Sequence, residues 1–152
     1  MPSRAAAVAA RNVLIEEKDI IDLPTVGDYM ATTLLTFMPE DNIHFVVETL
    51  LEKRLSGAPV VDGDGNLVGV ISKKDCLTVV YTGSYHQDWG GTVAQYMSKD
   101  VRTMDANMDI IAAADKFVQS NFRRFPVLSD GRLVGQISRH DILLALNDQW
   151  AG

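Results

Sequence analysis

The chain has 152 residues, of which 47% are hydrophobic and 22% charged, and it carries a formal net charge of −6 with a pI near 4.9. That is enough apolar material for one compact unit, while the acidic balance excludes general nucleic-acid binding, which needs a basic surface. Its one cysteine, Cys76, excludes an intramolecular disulfide and a multi-thiolate metal site, and no stretch approaches the roughly 18 apolar residues of a membrane span, so a cytoplasmic location away from membranes is expected.

Residues 1–24 read as an N-terminal extension. The alanine-rich start stops being apolar at Arg11, too early for a secretory signal, and is expected to be a frayed or helical extension. Thr25 or Asp28 opens a short helical turn that ends near Met30. Leu34–Phe37 is a short β-prone run halted by Pro39, after which Asp41 or Asn42 caps a helix. Ile43, Val46, Val47, Leu50, Leu51 and Leu55 follow the i, i+3, i+4 pattern of an amphipathic helix. Ala58–Val61 and Leu67–Ile71 flank Asp62-Gly-Asp-Gly-Asn66, a turn tolerant of positive φ, and so predict a hairpin. Ser72 then caps a helix to about Tyr81.

The order then recurs. A glycine- and aromatic-containing linker over 83–91 leads to a strand near Val101–Met104, a helix from about Asp109 to Phe122, a hairpin at Phe125–Leu128 and Leu133–Ile137, and a final helix from Ser138. The recurrence is also literal. Val26-Gly-Asp-Tyr-Met30 returns as Val93-Ala-Gln-Tyr-Met97, and Leu67-Val-Gly-Val-Ile-Ser-Lys-Lys-Asp75 as Leu133-Val-Gly-Gln-Ile-Ser-Arg-His-Asp141. The register is 67 residues at Val26/Val93 and 66 at Leu67/Leu133, a duplicated β-α-β-β-α unit with one skipped residue. Two α/β (α+β) units, 25–82 and 92–148, packed about a pseudo-two-fold axis with a shared core, are the expected fold.

Familiar catalytic patterns fail. The Asp62 turn starts like a calcium loop, but Leu67 and Lys73 stand where glycine and glutamate are needed. Gly63-Asp-Gly65 lacks the third glycine of a dinucleotide turn, and His44, His86 and His140 are scattered. No nucleophile, base and oxyanion hole come together, so neither catalysis, a catalytic cofactor nor a metal is expected. What both copies share is Gly-x-Ile-Ser-x-x-Asp, at Gly69–Asp75 and Gly135–Asp141. Such a helix start serves equally as a capping box or as a polar edge for a ligand, with the aspartate accepting from a cis-diol. Met30, Met97 and Cys76 read as core residues, and Tyr81, Tyr85 and Trp89 as cover for a sheet edge or a dimer contact.

The paired hydrophobic–Pro–Val hairpins and the doubled Gly-x-Ile-Ser-x-x-Asp resemble a tandem cystathionine-β-synthase (CBS) domain pair, or Bateman module, from about Val26 to Leu146. The resemblance implies a regulatory sensor that binds an adenine nucleotide (AMP, ADP or ATP) or an adenosyl ligand in clefts between the repeats. It also implies a homodimer acting on an unidentified regulated protein. By position, Asp75 and Asp141 match the ribose aspartate, Ser72 and Ser138 the helix-start hydroxyl, and Thr36 and Thr103 the first-strand threonine. Ala58-Pro59 and Phe125-Pro126 match the hairpin positions against which adenine packs. Arg123, Arg124 and Arg139 supply positive charge for phosphate in the second copy, whereas the first has Ser56-Gly57. The expected ligand set is therefore Phe125, Pro126, Ser138 and Asp141 with the arginines. The alternative is a homodimeric scaffold with degenerate, empty sites.

Overall fold

The computed structural model describes residues 22–86 and 90–151, apart from the side chains of residues 84–86. The extension up to residue 21, Trp89 and the Tyr85 side chain lie outside the described part. In chain order the elements are α1 (Val26–Tyr29), α2 (Ile43–Lys53), β1 (Gly57–Val61), β2 (Leu67–Ser72) and α3 (Lys73–His86). The second copy gives α4 (Val93–Tyr96), β3 (Met104–Asp105), α5 (Ile110–Val118), β4 (Arg124–Ser129), β5 (Arg132–Ser138) and α6 (Arg139–Ala151).

Local chemistry sets most boundaries. Thr25 N–H donates to Asp28 Oδ2 at 2.8 Å and Thr92 N–H to Gln95 Oε1 at 2.9 Å, so both short helices start on a capping-box contact. Of the two candidate caps before α2 it is Asn42 that serves, its Oδ1 accepting from His44 N–H at 2.8 Å. Arg54 ends that helix in the left-handed region at φ 55°. Asp109 caps α5 by accepting from Ala112 N–H. That helix stops at Val118, short of the expected Phe122, because Phe117 is its last core-facing residue and Ser120-Asn121 favour turns over helix interiors. In contrast, α3 continues past Tyr81 to His86, into the stretch expected to be linker.

β1 and β2 pair antiparallel, as do β4 and β5, and β4 also takes β3 as a parallel neighbour. The strand expected over Leu34–Phe37 contracts to one parallel bridge, Phe37 with Val60. Its counterpart in the second copy keeps two residues, Met104 and Asp105.

The two copies exchange their leading segments. Ala31, at the end of the first copy's α1, bridges Gln136 in β5, and Ser98, after α4, bridges Val70 in β2. Thr25 likewise pairs with Asp109, and Asn42 with Thr92. Each of these contacts maps onto its mate when the repeats are swapped. Asn66 and Arg132 occupy one and the same position of the repeat and bridge each other, which places the pseudo-two-fold between the hairpin tips.

The buried residues form two clusters where one shared core was expected. The first holds Phe37, Ile43, Val46, Leu50, Val60, Ile71 and Val79, with Val93 and Met97 inserted from the second copy. The second holds Met104, Ile110, Phe117, Phe125, Val127, Ile137 and Ile142, with Val26, Tyr29 and Met30 from the first. Val26 and Val93 are both fully buried, so neither cluster closes without residues from the other repeat. Burying each such valine is worth about 1.5–3 kcal/mol, and this reciprocal burial ties the repeats together.

Candidate functional site

The hairpins and the exchanged segments enclose a cleft of about 370 Å³. The first copy contributes Ser56, Gly57, Ala58 and Pro59 from the entry to β1, and Val70 and Ser72 from β2. The second contributes Ser98, Asp100, Val101 and Arg102 from the segment before β3, Phe122, Arg123, Arg124 and Pro126 around β4, and Gln136 from β5. Pro59 pairs with Val70 and Pro126 with Gln136, so equivalent rungs of the two hairpins line one space.

Both copies of Ser-x-x-Asp close the same ring. Asp75 Oδ2 accepts from Ser72 N–H and Oγ–H, each at 2.9 Å, and Asp75 N–H donates to Ser72 Oγ at 3.1 Å. Asp141 Oδ2 accepts from Ser138 N–H at 2.8 Å and Oγ–H at 2.9 Å, and Asp141 N–H donates to Ser138 Oγ at 3.2 Å. The capping role is thus real in both. In each aspartate Oδ1 makes no hydrogen bond among the described residues, leaving one carboxylate oxygen able to accept from a ligand.

The cleft therefore mixes the copies in a way not expected. Arg123 and Arg124 share it with Ser72, whereas Asp75, Ser138, Asp141 and Arg139 are absent from its lining. Arg139 is committed elsewhere, its Nε donating to Phe122 carbonyl at 3.0 Å and its N–H to Arg123 carbonyl at 3.0 Å. Phe125 is no wall of this cleft either. Alternate residues of a strand face opposite sides, so between cleft-lining Arg124 and Pro126 its ring turns into the core. It is 2% exposed there, 5.0 Å from the Phe117 ring and 5.3 Å from the Phe122 ring. The aromatic that lines the cleft is Phe122, with the Arg102 guanidinium 6.0 Å from its ring centre.

Thr36 is exposed beside the Phe37 bridge, and the half-buried Thr103 accepts from Lys116 Nζ through its carbonyl at 2.8 Å. Neither lines this cleft. Ala58 and Pro59 do, both buried. Gly57 stands at the rung opposite Ser72, where a Cβ would meet Ile71 carbonyl at 2.7 Å, so no side chain fits. The equivalent residue of the second copy is Arg124, paired with Ser138. One wall is thereby bare and the other cationic. Behind Asp75, the buried Cys76 thiol is pushed above its ordinary pKa by desolvation and then by the Asp75 charge. No cluster of metal-ligating side chains occurs among the described residues.

Residues 26–82 and 93–148 each match the CBS domain. The chain belongs to the CBS domain family. It is 29% identical over 126 residues to the uncharacterized protein MJ1225 of Methanocaldococcus jannaschii, covering 83% of this chain and 44% of that one. It is 26% identical over 149 residues to the chloroplastic CBS domain-containing protein CBSX2 of Arabidopsis thaliana, covering 80% and 63%. The chain thus spans less than two thirds of the length of either relative. A crystal structure of CBSX2 in complex with AMP superposes with a TM-score of 0.70 at 28% identity, covering 84% of this chain and 98% of that one. The CBS domain pair of protein MJ0100, in complex with 5′-methylthioadenosine and S-adenosyl-L-methionine, shares the fold at a TM-score of 0.64 and 23% identity, covering 84% and 98%. Among the described residues no helix is long and apolar enough to cross a membrane.

The CBS pair makes plain which site residues the sequence concealed. Ser98, Asp100 and Arg102 precede β3 and carry no motif. They reach the cleft only because Ser98 pairs with Val70 of the other repeat. Phe122 and Gln136 were detectable in principle, Phe122 as an aromatic next to the arginine pair and Gln136 as the polar residue inside an otherwise apolar strand.

Proposed function

We propose that this CBS pair is a regulatory module that binds an adenosine nucleotide or adenosyl ligand in the cleft shared by its repeats, and that it acts by binding, with no catalytic residue of its own. The carrying observation is that Ser72, bonded to Asp75, lines one cleft with Arg123 and Arg124 of the other repeat. At about 370 Å³ the cleft falls within the range of small-ligand sites, and its apolar floor of Ala58, Pro59, Val70 and Pro126 suits a flat base. The AMP complex of CBSX2, a relative of the same fold, supports this choice of ligand class.

In this reading ribose hydroxyls donate to Asp75 Oδ1, adenine packs between the two proline rungs, and any phosphate faces the arginines. Because both repeats line the cleft, a ligand there bridges them, and its binding energy biases their relative position. That bias is the signal an interacting protein reads. The lone cysteine is consistent with a reducing, cytoplasmic setting. The working domain limits are 25–82 and 92–148, joined by the residues between them.

Homodimerisation belongs to the same proposal. Leu51, Leu77 and Tyr81 on α2 and α3, and Ile111, Val118, Leu143 and Leu144 on α5 and α6, are exposed apolar side chains on the outer helices. Grouped apolar surface of this kind marks association sites, and a second copy of the chain is the occupant proposed.

The scaffold reading draws on one observation, that each Ser-x-x-Asp is already closed as a helix cap. A thermal-shift screen with AMP, ADP, ATP and S-adenosylmethionine separates the two. A ligand specific to the native state stabilises it by about 2.7 kcal/mol at a hundredfold excess over Kd, whereas a scaffold with degenerate clefts melts at one temperature throughout.

A further inference from the structure

We infer that Lys116 is a positioning residue of the cleft. From α5 it latches residues 99–103, which form one cleft wall, and so raises ligand affinity without lining the cleft itself. The inference rests on the reading of the cleft as a ligand site, and its own ground is the way this wall is held.

Asp100, Val101 and Arg102 line the cleft from a stretch that belongs to no helix or strand. Its two ends are pinned. Ser98 exchanges two backbone hydrogen bonds with Val70 of the other repeat, each at 2.9 Å, and Met104 pairs with Val127 in β4. Between these pins, among the described residues, the stretch has one backbone hydrogen bond of its own, from Val101 N–H to Lys99 carbonyl at 3.1 Å. The other support comes from outside: Lys116 Nζ donates to Thr103 carbonyl at 2.8 Å. The same ammonium stands 5.6 Å from the ring centre of the buried Phe125.

A cation in the last turn of a helix ordinarily serves that helix's own carbonyls. Lys116 occupies such a position, yet its ammonium is directed to the cleft wall. A charge-assisted hydrogen bond is about twice as strong as a neutral one, and an aromatic face adds to the attraction. The matching residue of the first copy, 67 positions earlier, is Thr49, whose Oγ1 donates to Phe45 carbonyl within its own helix. The repeat fold therefore does not require the latch. It occurs in the copy whose leading stretch lines this cleft. Without it the free chain spends time with the wall displaced, and apparent affinity falls with the fraction of chains that are competent to bind.

Lys116→Met keeps the apolar stem beside Phe125 and removes the donor, whereas Lys116→Arg keeps a donor. Hydrogen exchange of the ligand-free full chain, followed on peptides spanning residues 98–103, tests the latch directly. Exchange there is expected to be at least about fivefold faster in Lys116→Met and near native in Lys116→Arg, with β4 and β5 unchanged. Titration calorimetry with AMP is expected to show about five- to tenfold weaker binding in Lys116→Met, restored in Lys116→Arg and native in Thr49→Val. Unchanged exchange over 98–103, or equal loosening of β4 and β5, would overturn the latch. Faster exchange with native AMP affinity would overturn its role in binding. If the native chain does not bind AMP, the adenosine reading falls, and the exchange measurement alone decides whether Lys116 holds the wall.

Discussion

Met97 covers Gly69 from the opposite repeat: a Cβ placed on Gly69 would lie 2.7 Å from Met97 Sδ and 2.9 Å from Ser98 carbonyl. The same relationship recurs at Gly135, where a Cβ would lie 2.5 Å from Met30 Sδ and 2.8 Å from Ala31 carbonyl. The glycine of each Gly-x-Ile-Ser-x-x-Asp motif is therefore required by the partner repeat, not by its own strand. The methionine could swing aside, but the Ser98 and Ala31 carbonyls are fixed by bridges to Val70 and Gln136.

Gly69→Ala and Gly135→Ala are accordingly expected to lower stability by about 1–3 kcal/mol each, the usual cost of overpacking. Urea denaturation measures this directly. A loss below about 0.5 kcal/mol, the range of an ordinary surface substitution, would mean that the exchanged segments yield easily.

This exchange also marks how far the sequence could be read. The duplicated β-α-β-β-α order, the hairpins and the pairing of Ser72 with Asp75 and Ser138 with Asp141 were legible, because helix periodicity, turn residues and capping boxes are local signals. The grouping of side chains in the cleft was not. Ser72 joins Arg123 and Arg124 through a crossing of the two repeats, and nothing local in the sequence records that Met97 packs under Leu67–Ser72. Sequence reasoning therefore grouped the arginines with Ser138 and Asp141 of their own copy. Phe125 was misplaced for a simpler reason: one step of strand alternation separates a cleft residue from a core residue.

The aspartates give an asymmetric prediction. Neither aspartate lines the arginine-bearing cleft, but Asp75 is bonded to Ser72, which does, whereas Ser138, to which Asp141 is bonded, does not. Asp75→Asn should weaken AMP binding by about ten- to a hundredfold, the loss of a charged hydrogen-bond partner, and Asp141→Asn by less. Calorimetry on both variants decides, and the reverse order would return the site to the second repeat's own motif.

Association is expected through the outer helices. Leu77→Glu on α3 and Leu143→Glu on α6 place charges at exposed apolar positions, 68% and 64% accessible, and should leave the fold intact. Sedimentation velocity is expected to show a dimer for the native chain and a monomer for the double variant. A native chain that stays monomeric at high micromolar concentration would remove the dimer from the account.

Cys76 supplies a pH prediction. Its pKa is raised in the folded chain, chiefly by desolvation and secondarily by Asp75, so the folded state holds the thiol proton more tightly than the unfolded state. This contribution to stability is complete below the unfolded thiol pKa and is lost as pH rises through the higher folded value. Stability should therefore decline on the alkaline side of the ordinary thiol pKa, and less so in Cys76→Ala. Native Cys76, 5% exposed, should also react with a thiol-labelling disulfide far more slowly than the denatured chain. Equal rates in both states would show that α3 opens readily.

The most direct test of the shared adenosine cleft is a crystal structure of the full chain grown with AMP. The base is expected between Pro59 and Pro126, ribose hydroxyls on Asp75, and the phosphate within hydrogen-bonding reach of Arg102, Arg123 or Arg124. AMP bound instead on Ser138 and Asp141 and away from these arginines, or a cleft left empty at saturating AMP, would contradict it.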